Sequence, residues 1–331
     1  MTALKSLRFL SDKADPPFWI GGRAAPDPKN LLCCRNGVLD ITTRRFYPPA
    51  PDLFALDSRG FDYDATAPKP KEWLAFLTSL WPNDQESSDT LATIFGYVLT
   101  SATKMQKMFL IIGPARSGKG TISRVLKSIV GSENVAEPAL QQLASESDFA
   151  LQQLIGKRLA IVGDARVSSK ADPQAAVERM LKISGEDGMT IGRKYKDDWR
   201  GRLGTRFLIL ANELPDLKDD SGAFAERFIL LRLSKSFLGI EDHNLEERLM
   251  KERAGILNWA LDGLDALRKA KRFKQPDASQ GAIDDLNALG SPVRAFIEDR
   301  CVTGPLFENG EARGGRESRS VRGISLLVRR Q

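Results

Sequence analysis

Cysteine and histidine are nearly missing from this 331-residue chain, which has three cysteines and one histidine. Cys33 and Cys34 are adjacent, Cys301 lies far along the chain, and His243 is remote from all three. Such spacing suits neither a disulfide framework nor a zinc site, and it fits a reducing cytoplasm. No stretch comes near the ~18 uninterrupted apolar residues that a membrane span requires, so no membrane is expected among the partners. The opening MTALKSLRFLSDKADPP is interrupted by Asp12, Lys13 and Asp15 before an apolar core forms, which argues against a secretion signal. Internal repeats are absent too.

Charge, by contrast, is plentiful and unbalanced, with a net +6. A basic surface draws polyanions because each neutralised phosphate releases counterions. The same surplus could serve solubility alone, and much of it sits near the C-terminus. Composition leaves both readings open.

The pattern along the chain changes four times. Residues 1–103 begin with short strand-like pieces, including a hairpin expected around Asn36-Gly37, and turn helical after Pro70. Residues 104–239 alternate bounded apolar runs (MFLIIG, LAIVGD, RFLILAN, FILLRL) with helical stretches. That alternation predicts an α/β core with a mainly parallel sheet. Residues 240–303 read as helical, with helical periodicity from Leu245 to Lys271 through Leu249, Ile256, Trp259, Ala260 and Leu264. Residues 304–331, ENGEARGGRESRSVRG among them, have few apolar groups and predict a basic, poorly packed or disordered tail.

The most specific signal is FLIIGPARSGKGT. Gly113, Pro114, Ala115, Arg116, Ser117, Gly118 and Lys119 fit the phosphate-loop spacing between a strand and a helix. Glycines let the backbone curl so that several N–H groups point at one anion, at the positive end of the next helix. Lys119 then reaches the outer phosphates. ATP with Mg²⁺ is the expected ligand. The usual Ser or Thr after the lysine is replaced by Gly120, with Thr121 one step later. The run GKGT also occurs in adenylate kinases, although about a hundred residues precede the loop here and no arginine-bearing lid is evident.

Hydrolysis needs an acid at the end of a neighbouring strand, to hold the metal and orient water. Asp164 follows the run Leu159 to Val162, and its neighbour is Ala165 where many such ATPases carry a second acid. Asn212 ends the run RFLILAN, where its amide can reach a γ-phosphate or the water. Arg227 follows a Gly/Asp-rich loop. Taken singly, these are equally a solvated loop aspartate, a strand-capping asparagine and a surface arginine. Their order on successive strands favours the functional reading.

These residues together resemble the superfamily-three helicase domain of phage and plasmid primases, the group that includes the poxvirus-type primase-helicases. The resemblance runs from about Asn30 to Cys301. It rests on RNGVLDITTRRFYP, PKEWLAFLTSLWP, IFGYVLT, GPARSGKGT, LIGKRLAIVGDAR, LKISGEDGMTIGRKYK, LILANELPD, AERF and ERLMKERAGILNWALDGLDAL. It implies an AAA+-like ATPase core in a homo-hexameric ring that moves along single-stranded or forked DNA. Lys119 would be the phosphate-loop lysine, Asp164 the metal-binding acid (with Thr121 as a second ligand), Asn212 the sensor, and Arg227 the finger lent to a neighbouring subunit. Lys194, Tyr195 and Lys196 would tip a DNA-gripping hairpin.

The polymerising primase domain that often precedes this module has no room here, so primer synthesis is not expected and a separate primase is a possible partner. Two other readings stay open: a degenerate ring subunit that binds nucleotide and DNA without turnover, and a nucleoside monophosphate kinase.

Overall fold

The structure, a computed structural model, describes residues 16–21, 26–55, 58–145, 147, 149–163, 173–214 and 226–290, and short strands between 301 and 328. The four apolar runs of the central segment all become strands: β6 (Met108–Ile112), β8 (Leu159–Val162), β11 (Arg206–Ala211) and β12 (Phe228–Arg232). With the short β7 (Val135–Ala136) they form one parallel sheet in the order β12-β6-β11-β8-β7. The expected α/β core is present.

Alternate residues of a strand face opposite sides of its sheet. Here both sides are apolar because helices cover both. Phe109, Ile111, Leu208, Leu210, Ile229 and Leu231 join one core with Trp73, Phe95, Ile122 and Leu264. Met108, Leu110, Phe207, Ile209 and Leu230 join the other, with Leu140, Val177 and Met180.

On the first face lie α1 (Lys71–Leu80), α2 (Gln85–Leu99), α3 (Lys119–Val130) and α7 (Arg253–Ala270). On the second lie α4 (Leu140–Ala144), α5 (Pro173–Ser184) and α8 (Gln280–Gly290). Helices from the two ends of the chain therefore share a face. At their crossing, a side chain at Gly96 of α2 would collide with the Ala260 carbonyl, and one at Gly263 of α7 with the Ala92 backbone. The aromatic rings of Trp73, Phe95 and Trp259 close the same junction, with centroids 5.4–5.5 Å apart.

Three details of the fold sharpen the reading of the sequence. First, the expected hairpin forms from β2 (Leu31–Cys34) and β3 (Gly37–Asp40), with Arg35–Asn36 as its turn. Gly37 already lies in the strand, where any side chain would strike the Tyr47 carbonyl of β4 (Phe46–Tyr47).

Second, the helical run from 245 onward is two helices, α6 (Leu245–Lys251) and α7, parted at Glu252. The Glu252 carboxylate accepts from the backbone N–H of Glu72 and Trp73, at 3.1 and 3.0 Å. It thereby caps α1, whose own N-cap residue, Pro70, makes no side-chain cap bond.

Third, described segments of 304–331 pair as strands. Ile324–Val328 lies antiparallel to both Ser318–Val321 and Cys301–Val302. ISLLV is an aliphatic run that suits a strand, and it lies beyond the glycine-rich stretch that dominated the composition.

Candidate functional site

The chain leaves β6 for the far edge of the sheet at β7. It then returns through β8 and β11 and crosses to β12 on the other side. Such a reversal opens a crevice beyond the carboxyl ends of the central strands. The loop of residues 113–118 lies there. A Cβ on Gly113 would stand 2.6 Å from the Leu233 carbonyl as the chain exits β12. Gly118 adopts φ 94°, a left-handed conformation that costs other residues about 1–2 kcal/mol. It precedes α3 without any side-chain cap. The first N–H groups of α3 are thus left for a ligand at the positive end of the helix.

Lys119 opens α3 and folds over this loop. Its Nζ donates to the carbonyls of Gly113 (2.5 Å) and Pro114 (2.8 Å) and to Ser117 Oγ (3.2 Å). Burial pushes its ammonium below the ordinary lysine pKa. The carbonyl contacts hold the charge over the loop's concavity, from which it can turn to phosphate oxygens.

A cavity of about 670 Å³ faces the loop, a size typical of small-molecule sites. Residues 115–121 form its floor, and Asn212, just beyond β11, lies on its wall. Residues of the glycine-rich motif and the asparagine, read ninety positions apart in the chain, are thereby brought together.

Sequence reasoning missed the apolar part of the lining. It is built from Phe76 of α1 and from Phe237, Ile240 and Leu245. The segment after β12 is strapped to the loop: Ser236 Oγ donates to the Ala115 carbonyl (2.8 Å) and the Phe237 N–H to that of Arg116 (3.0 Å). Arg116 faces Glu241 at 3.7 Å. The only local hint was KSFLGIEDHNLEERL, apolar and acidic residues mixed directly after a buried strand.

The cavity suits a nucleoside polyphosphate. The loop amides and Lys119 are placed to meet an anion, and Phe237 and Ile240 offer an apolar surface to a base. For a divalent metal, Thr121 presents a hydroxyl to the cavity and Gly120 presents nothing. Asp164 lies outside the described residues, two positions past the end of β8.

Arg227 is elsewhere. It precedes β12 at the amino end of the sheet, roughly 16 Å along the strand from the loop end at ~3.3 Å per residue. Its Nη1 donates to the Leu181 carbonyl (3.1 Å) and to Ser184 Oγ (2.9 Å) at the C-terminus of α5.

The expected hairpin is present, as β9 (Met189–Arg193) and β10 (Lys196–Gly201), paired antiparallel. Its two-residue turn is Lys194–Tyr195. Tyr195 has φ 61° and is 95% exposed, so a large ring stands in solvent on a backbone that favours glycine or asparagine. The Lys194 ammonium lies 5.8 Å from that ring's centroid.

Residues 23–82 match a family described as D5 N terminal like, and residues 111–227 match a family of unknown function (DUF5906). One structure of the NrS-1 C-terminal region matches with a TM-score of 0.56 and 14% identity, over 86% of this chain and 66% of its own. The D5 N terminal like match agrees with the resemblance read in the sequence, and the overlay shows a shared fold. A second structure of that NrS-1 region matches at TM-score 0.50 and 14% identity, over 63% of this chain and 53% of its own. The chain thus spans between half and two thirds of the length of the NrS-1 structures it overlays. A JCV helicase structure, 16% identical over 69% of this chain and 61% of its own, overlays less well, at 0.39. No curated protein matches. No helix among the described residues is long and apolar enough to cross a membrane.

Proposed function

We propose that this chain is a cytoplasmic, ATP- and Mg²⁺-dependent DNA helicase of a phage, prophage or plasmid replication system, acting as a homo-hexamer. The observation that carries the proposal is the joining of Lys119, the loop amides, Thr121 and Asn212 around one cavity, with a basic, aromatic-tipped hairpin outside it. Loop and lysine bind the triphosphate. Asn212 orients the γ-phosphate or the attacking water. Asp164, with Thr121, would hold the metal, which supplies charge neutralisation at the phosphates.

Arg227 supports a ring. It lies too far from its own cavity to act there, as a residue lent to a neighbour must. Lys194 and Lys196 grip phosphates of a single strand while Tyr195 stacks on a base, a contact worth ~1–3 kcal/mol.

The test is ATP hydrolysis by the intact chain with and without single-stranded DNA, together with particle mass in a non-hydrolysable ATP analogue. Stimulated turnover and a mass near six chains are expected. A monomer that phosphorylates AMP would identify a kinase instead. A second reading, a ring subunit that binds without turnover, draws support from bare Gly120 and from Thr121 Oγ1 receiving a contact from Arg124. Nucleotide binding with no DNA-stimulated hydrolysis would establish it.

A further inference from the structure

The position after Lys119, where phosphate loops commonly carry a hydroxyl, has no side chain. The space is taken from one turn further along α3. A Cβ placed on Gly120 would stand 3.1 Å from Arg124 Nη1, so the guanidinium lies directly over that residue. This follows from helix geometry, because side chains tilt toward the N-terminus and a long one covers the preceding turn. Arg124 Nη2 donates to Thr121 Oγ1 at 3.4 Å, and Nε donates to Glu246 Oε2 of α6 at 2.6 Å. Among the described residues Nη1 has no hydrogen-bond partner. Gly120, Thr121, Arg124 and Glu246 all line the cavity that Lys119 faces.

We propose that Arg124 is a second cationic ligand, within the same chain, for the polyphosphate of the nucleotide, and that Gly120 is bare so that the guanidinium can reach it. The proposal rests on the nucleotide-binding reading of the cavity. A guanidinium carries a planar fork of N–H donors matched to phosphate oxygens. Glu246 engages Nε and leaves the end of the fork facing the loop. A plain surface ion pair between Arg124 and Glu246 would contribute little and would not need an empty position at residue 120.

A fixed positive charge at the first turn of α3 also substitutes for part of the neutralisation that a metal ion gives. Binding of the triphosphate should therefore persist when divalent cations are removed.

The experiment is fluorescence titration of the full chain with ATP bearing a methylanthraniloyl group on the ribose, in Mg²⁺ and in EDTA. Parent and Arg124→Ala are compared. The expected result is a loss of about tenfold or more in EDTA, the scale of one charge-assisted hydrogen bond, and a smaller loss in Mg²⁺. Equal affinity of the two proteins in EDTA overturns the proposal while leaving nucleotide binding intact. A parent that binds no nucleotide in either buffer overturns both readings.

Should Arg124→Ala fold poorly, Glu246→Gln carries the test. Freeing the guanidinium from its carboxylate tightens binding in EDTA about twofold or more. Equal or weaker binding by that variant overturns the proposal.

Discussion

Arg59 donates from Nη2 to the carbonyl of Val130 at 2.9 Å, closing the far end of the helix that the phosphate loop opens. Its Nε reaches the Ile129 carbonyl at 3.4 Å, and the side chain is almost wholly buried. Val130 is the last residue of α3, so a cation sits at the negative end of the helix dipole. Arg59 belongs to the segment that matches D5 N terminal like, which is thus built into the support of the loop.

Replacing Arg59 by Met should cost about 2 kcal/mol or more, since buried carbonyls lose a charged donor. Urea unfolding followed by circular dichroism would read this as a lower midpoint with an unchanged slope. An unshifted midpoint would show that the carbonyls are satisfied without Arg59.

Arg227→Ala should leave ATP affinity close to the parent's while turnover falls by roughly 10³–10⁵, the range found for finger arginines. Comparing nucleotide titration with steady-state hydrolysis separates the two effects. Loss of the contacts to Leu181 and Ser184 should lower stability only modestly, because these are two neutral-acceptor bonds at the end of a helix. Hydrolysis at the parental rate would remove the finger assignment.

Tyr195→Gly should separate stability from binding. Glycine relieves the left-handed backbone at the hairpin tip, so the melting temperature should hold or rise. Losing the exposed ring should weaken single-stranded DNA binding by about 1–3 kcal/mol, roughly 5- to 150-fold, in a fluorescence anisotropy titration. If affinity is unaffected, the ring has no stacking role.

Replacing Lys194 and Lys196 together by Ala should reduce DNA affinity and flatten its salt dependence. For single strands each phosphate contact contributes about 0.7 to the logarithmic slope, so a total change near 1.4 is expected. DNA-stimulated hydrolysis should then be uncoupled from strand separation. A double variant with the parental slope and unwinding rate would place the DNA contact elsewhere.

What was legible in the sequence is what local periodicity encodes. The run from Met108 to Val130 shows strand, loop and helix because burial on both faces demands an unbroken apolar strand and the loop demands glycine at φ 94°. The helices at Lys71–Leu80 and Gln85–Leu99 were legible in the same way, whereas the hairpin at 189–201 was expected only from the family resemblance. The break at Glu252 was not legible, because its carboxylate caps a helix 180 residues earlier in the chain. The strand pairs near the C-terminus were hidden by a stretch rich in glycine and arginine.

By itself, the sequence determined the strand, the glycine-bearing loop and the helix that Lys119 opens, because such a loop is a contiguous stretch with its own backbone requirements. Only the tertiary structure decided that Phe76, Phe237 and Ile240 complete the cavity, that Arg124 covers Gly120, and that Arg227 stands at the opposite end of the sheet. Those relationships depend on how α1, α6 and β12 pack against the loop. Packing joins residues that share no spacing in the chain, so no local pattern can announce them.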